Sequence, residues 1–199
     1  MKTGFKILPR SFYLRDTSQV AKDLLGKILV RVVHGQLLAG IIVETEAYKG
    51  IDDPASHAFK GKTPRTEVMF GLVGHAYIYF IYGMHFNLNI VAHEKKKPSG
   101  GVLIRAVEPI IGIDIMKEVR KVSSITNISN GPGKIGQAFF IDRSLYGCDV
   151  THAGPLFVAQ APLDLACDHI VEAPRIGITR AQDKLWRFYY EHNPYVSRR

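Results

Sequence analysis

A chain of 199 residues, 46% of them hydrophobic, is long enough for one well-filled domain and too short for two of ordinary size. Lysine and arginine number 26 against 18 aspartates and glutamates, a formal charge of +8 at pH 7, yet charged residues make up only 22% of the chain. That excludes a disordered polyelectrolyte and a histone-like tail, and leaves a folded body whose surface favours an anionic partner, either nucleic acid or an acidic membrane.

The two cysteines, Cys148 and Cys167, form no Cys-x-x-Cys pair, and the eight histidines form no His-x-x-x-His pair. Neither a zinc ribbon nor an iron–sulfur centre is expected, and the cysteines read as reduced thiols of a cytosolic protein. The first residues lack the apolar core of a signal peptide.

In chain order, Asp16-Thr-Ser18 is placed to cap a helix whose Val20, Ala21, Leu24 and Leu25 share a face, with Gly26 as its stop. Residues 27–33 and 37–46 are β-branched runs around His34-Gly-Gln36, the signature of a hairpin. A polar loop follows from Tyr48 to about Glu67. From Val68 to His93 no charged residue occurs, a length that could span a bilayer. Its glycines, histidines and asparagines, and the aromatic, β-branched run from His75 to Tyr82, predict a buried hairpin instead, so no membrane partner is expected. Within that run Ile78 and Phe80 read as core.

Residues 101–107 predict a further strand, and 109–122 a helix with Ile111, Ile115, Met116 and Val119 at helical spacing. The turn Asn130-Gly-Pro-Gly-Lys134 leads into a short helix over 135–140. Short runs at 155–160, 169–171, 175–178 and 188–190 alternate with turns. No repeat or linker divides the chain, so residues 1–199 are expected to form one α+β domain with a mostly antiparallel sheet.

The polar chemistry gathers where the second strand ends, at Glu44, Glu46 and Tyr48, then Asp52, Asp53 and His57. Alternation puts Glu44 and Glu46 on one face, either toward solvent or toward a cleft where a carboxylate can take a proton from water. A metal pair drawn from Glu44, Glu46, Asp52, Asp53 and His57 is a further alternative, although the spacing matches no metal motif. Tyr77 and Tyr79 share a face, and their hydroxyls suit stacking walls better than a dry core. Arg65, Lys95, Lys96 and Lys134 supply cations for phosphates on either side, and Arg105, inside an apolar strand, is expected opposite a carboxylate or phosphate.

Taken in order, Glu44-Thr-Glu-Ala-Tyr-Lys-Gly50, Asp53-Pro-Ala-Ser-His57, Thr63-Pro-Arg-Thr66, Met69-Phe70, Tyr77-Ile-Tyr-Phe-Ile-Tyr-Gly-Met84, Asn89, the strand through Arg105 to Pro109, Asn130-Gly-Pro-Gly-Lys134, Arg175-Ile-Gly177 and Leu185-Trp-Arg-Phe188 form a set that resembles the alkyladenine (3-methyladenine or N-methylpurine) DNA glycosylases. The resemblance implies a compact domain with a curved antiparallel sheet and surrounding helices. It also implies a monofunctional base-excision enzyme that needs no metal or other cofactor and acts as a monomer on damaged purines in double-stranded DNA, in the cytoplasm and, in a bacterium, at the nucleoid. By the same resemblance Glu46 activates the water with Arg105 as its partner, and Tyr48, His57 and Tyr79 wall the flipped base. Asn89 crowds the amine of unmodified guanine, while Tyr82 and Met84 enter the duplex. His85 departs from the tyrosine of mammalian members. The rival on the residues alone is a non-catalytic nucleic-acid binding module using the same rings and cations.

Overall fold

The computed structural model describes residues 4–81, 83–161 and 169–197; Tyr82 and Cys167 lie outside them. Two short helices, α1 (Arg10–Tyr13) and α2 (Thr17–Asp23), precede the hairpin of β1 (Ile28–Val33) and β2 (Gln36–Tyr48). A second hairpin joins β3 (Ala76–Ile81) to β4 (His85–Val91), and β5 (Gly101–Ile111) follows. Then come α3 (Ile113–Arg120), α4 (Pro132–Ala138), β6 (Leu156–Ala159), β7 (Ile170–Ala173) and β8 (Arg187–Tyr190). The strands make one sheet in the order β3-β4-β5-β2-β1-β6, with β8 also on β2 and β7 on β8. Every pairing among the described residues is antiparallel.

The long strand β2 organises this sheet. One edge pairs with β5, while the other pairs with β1 through its first half and with β8 at Glu44–Glu46. Register shifts near Ala39/Gly40 and on both sides of Glu44 mark bulges, which bend the strand and curl the sheet. Asp16 caps α2, its carboxylate accepting from the amides of Ser18 and Gln19 at 2.9 and 3.2 Å. Val20 and Ala21 lie buried beneath that cap, and the Thr45 hydroxyl donates to the Ala21 carbonyl at 2.8 Å, tying α2 to β2. Helix α4 approaches β4 so closely that a Cβ on Gly136 would sit 2.1 Å from the Phe86 carbonyl oxygen.

Three expectations need correction. Residues 109–122 are not one helix: Pro109 continues β5 opposite Gly40, and α3 starts only after Gly112, whose φ of +78° breaks the strand. Residues 175–178 are not a strand: the backbone bends at Ile176 and Gly177, and the Ile176 amide serves the site described below. Phe80 is 52% exposed, because the β3–β4 hairpin runs past the end of its pairing with β5, leaving that ring against Phe86 rather than in the core. The uncharged segment is indeed a hairpin, and no helix of the described residues is long and apolar enough to cross a membrane.

Candidate active site

Strand register lays one row of side chains across five strands. Tyr77 on β3 faces Asn89 on β4, Asn89 faces Leu103 on β5, Leu103 faces Glu46 on β2, and Glu46 faces Arg187 on β8. Residues opposite one another in antiparallel strands share a face, so the row is a continuous strip of one surface. Beside it Tyr79 faces Asn87, and the period of two puts Arg105 and Glu44 next to Leu103 and Glu46.

Both glutamates are fully buried, which disposes of the solvent-facing alternative. Their surroundings differ. Glu44 Oε1 accepts from Arg187 Nε at 2.7 Å, the Ser197 hydroxyl at 3.0 Å and Arg105 Nε at 3.1 Å, while Oε2 accepts from the Ser197 amide at 2.7 Å. It is a saturated anchor. Glu46 Oε1 accepts from the Ile176 amide at 2.7 Å and lies 3.2 Å from Arg105 Nη1, and Oε2 accepts from the Tyr48 hydroxyl at 2.8 Å. Burial works against the Arg105 charge, but the facing Glu46 and Glu44 carboxylates outweigh it and raise its pKa. Burial, reinforced by Glu46, likewise lifts the Tyr48 phenol well above its ordinary range, so this hydroxyl stays a donor.

A cleft of about 880 Å³ opens above this strip, lined by Tyr48, His57, Tyr79, Asn89, Arg105 and Ile176 among others. Glu46 is not part of the lining; Tyr48 and Arg105 cover it. Tyr77 and Tyr79 stack at 5.5 Å between ring centroids, and the His57 ring meets Tyr79 edge-on at 4.6 Å. His57 Nδ1 lies 2.9 Å from the Tyr77 hydroxyl, and its outer edge is exposed. Burial against these rings, helped by the Arg65 charge, pushes its pKa down to about 4, which keeps the imidazole neutral at neutral pH.

The remaining expected residues spread outward. Lys134 lies in the cleft wall, where it donates to Asn130 Oδ1 at 2.6 Å. Arg65 is exposed, its guanidinium 5.8 Å from the Tyr79 ring. Met84 is 69% exposed in the turn between β3 and β4, and Tyr82 lies outside the described residues. Lys95 and Lys96 sit on an exposed turn after β4 that takes no part in the lining.

Sequence reasoning missed the clamp behind the site. Arg175 pairs with Asp53 through both guanidinium nitrogens, Nη1 to Oδ2 at 2.5 Å and Nη2 to Oδ1 at 2.9 Å, with no solvent contact on either side chain. The same guanidinium lies 4.6 Å from the Tyr48 ring and 5.0 Å from Trp186. Asp53 had been a candidate metal ligand; its carboxylate is committed to this arginine. Among the described residues no three His, Cys, Asp or Glu side chains converge as a metal site would require.

A family model for methylpurine-DNA glycosylase matches residues 11–194. A protein of Carboxydothermus hydrogenoformans is 48% identical over 193 residues, covering 97% of this chain and 100% of its own. One of Methanocella arvoryzae is 50% identical over 197 residues (97% and 96%), and one of Clostridium perfringens strain 13 is 46% identical over 204 (96% and 99%). All three carry the name "Putative 3-methyladenine DNA glycosylase".

Proposed function

This chain belongs to the methylpurine-DNA glycosylase family, hydrolases of N-glycosyl bonds that serve base excision repair, and we propose that it releases alkylated and deaminated purines from duplex DNA with Glu46 as the general base. The observation that carries this reading is the buried Glu46–Arg105 pair, held directly beneath a cleft walled by Tyr48, His57 and Tyr79.

A base inside a duplex cannot meet that carboxylate, so the nucleotide must leave the stack at a cost of a few kcal/mol. Met84, in the turn between β3 and β4, and Tyr82, to which the resemblance gives the same role, offset part of that cost by filling the gap. Arg65 and Lys134, and at longer range Lys95 and Lys96, hold phosphates without reading sequence. Stacking on Tyr48, Tyr79 and His57 tolerates several purines. A purine made cationic by alkylation gains about 0.5–2 kcal/mol more from the tyrosine faces.

Hydrolysis then moves one water. Its oxygen bonds to C1′, its proton passes to Glu46, and the electron pair of the broken C–N bond leaves on the purine. The carboxylate also stabilises the positive charge that develops on the sugar, as in glycoside hydrolysis. Arg105, 3.2 Å from Glu46 Oε1, is the counter-charge of that carboxylate and helps hold the water. The step needs a water and the side chains of Glu46 and Arg105, with the chain acting as a monomer in the cell compartment that holds its DNA.

A binding module would need the rings and cations but no buried carboxylate beneath them. The deciding experiment is base release from duplexes carrying 3-methyladenine, 7-methylguanine, hypoxanthine or ethenoadenine, run with and without a chelator. Release of at least one base that survives the chelator is expected. Binding without release would favour the module, and loss on chelation would favour the metal-dependent alternative.

A further inference from the structure

Opposite the stacked tyrosines stand two asparagines. Asn87 and Asn89 lie across from Tyr79 and Tyr77 in the β3–β4 register, on the same face, and both line the cleft. They are 2% and 5% exposed, so their amides have almost no bulk water to turn to. Asn87 Nδ2 donates to the Tyr79 hydroxyl at 3.0 Å, which fixes the orientation of the amide. Its Oδ1 has no hydrogen-bond partner among the described residues, and neither has Asn89 Nδ2.

An unsatisfied buried amide oxygen costs on the order of 1–3 kcal/mol, and a branched apolar residue would suit the strand better. Asn87 therefore carries a penalty that packing does not explain and that a ligand with an N–H group can relieve. Its neighbour offers the complementary donor. Side by side the two match a planar ring edge that alternates donor and acceptor, with the tyrosine rings stacked at hand.

We propose that Asn87 is a specificity-determining residue that reads the flipped base, its Oδ1 accepting a hydrogen bond from an N–H on the edge of the purine turned toward β4. The inference rests on the glycosylase reading and adds a chemical criterion to it. Purines that keep an N–H on that edge, such as hypoxanthine or an adenine with a free amino group, satisfy Asn87. Ethenoadenine, whose bridge removes every N–H donor from the ring system, leaves it unsatisfied.

The test is the ratio of single-turnover excision rates, hypoxanthine over ethenoadenine, in otherwise identical duplexes. Asn87→Leu keeps the size of the side chain and removes the acceptor; the ratio is expected to fall about tenfold or more while ethenoadenine release persists. Tyr79→Phe keeps the Asn87 acceptor but frees its amide to turn, so a smaller fall than in Asn87→Leu is expected. An unchanged ratio in Asn87→Leu, or an equal fall in Tyr79→Phe, overturns the proposal, since Asn87 would then act only as a prop for the tyrosine. Should Asn87→Leu release neither base, Asn87→Ala also removes the acceptor and gives the same readout, and an unchanged ratio there overturns it equally. Failure of the wild-type protein on both duplexes would instead count against the glycosylase reading, before any ratio exists.

Discussion

Arg175 and Asp53 form a bidentate ion pair with no solvent contact on either side chain, and the residue after Arg175 donates its backbone amide to Glu46. The pair spans 122 positions of sequence and fixes two loops at once. One carries His57, and the other delivers the Ile176 amide.

Breaking that pair leaves an uncompensated buried charge. Asp53→Ala or Arg175→Met is expected to cost about 3–5 kcal/mol of folding stability, measured by denaturant unfolding. A loss under about 1 kcal/mol would mean that water reaches the site in solution.

The two glutamates are expected to separate by phenotype. Glu46→Gln keeps the fold and the affinity for damaged DNA but lowers single-turnover base release at least about a hundredfold. Glu44→Gln removes the counter-charge shared by Arg105 and Arg187, so unfolding shifts to lower denaturant before any chemistry is assayed. Normal excision by Glu46→Gln would remove it as the base.

Acid should expose His57. Its pKa of about 4 in the folded protein lies below the ordinary 6.5, so between those values the unfolded chain binds more protons and stability rises with pH. On acidification this contribution is lost through that window. Comparing wild type with His57→Gln, the wild type is expected to lose more stability on going from about pH 7 to about pH 4.5. Parallel curves would show that the ring protonates freely in the folded state.

Asn89→Ser is expected to raise guanine release relative to hypoxanthine by opening the floor of the cleft beside Tyr77. A constant ratio would remove Asn89 as the gate.

Gly136→Ala places a methyl group 2.1 Å from the Phe86 carbonyl, a backbone atom that cannot step aside. Helix α4 must then lift from β4, and destabilisation of about 1–3 kcal/mol is expected, read as a lower Tm.

The features legible in the sequence were those with local signals. The Asp16 cap, the Gly-centred turn between β1 and β2, and the aromatic, β-branched β3 carry their reasons within a few residues. Glu46 facing Arg105 was foreseeable because a lone charge in an apolar strand needs a partner. Residues 109–122 misled because the apolar spacing of Ile111, Ile115, Met116 and Val119 is genuine, while Pro109 is accommodated by the bulge at Gly40, visible only in the paired strands. Phe80 looked like core because composition cannot show where a neighbouring strand stops. Arg175 with Asp53, and the Ile176 amide on Glu46, had no local signature at all: one joins distant loops, and the other is a backbone group that any residue type supplies. Asn87 had a quieter signal, an amide two positions from Asn89 in an otherwise apolar strand.

The fork of β2 sets the order in which this protein can be completed. The anchor of its active site, Glu44, leans on Arg187 and Ser197, the latter 153 positions further along the chain. Contacts so remote in sequence carry the largest loop-closure cost and form late in folding. Until Arg187 on β8 and Ser197 are in place, Glu44 has Arg105 alone of its partners named above, so the buried carboxylate at the bend of β2 is completed from the far end of the chain.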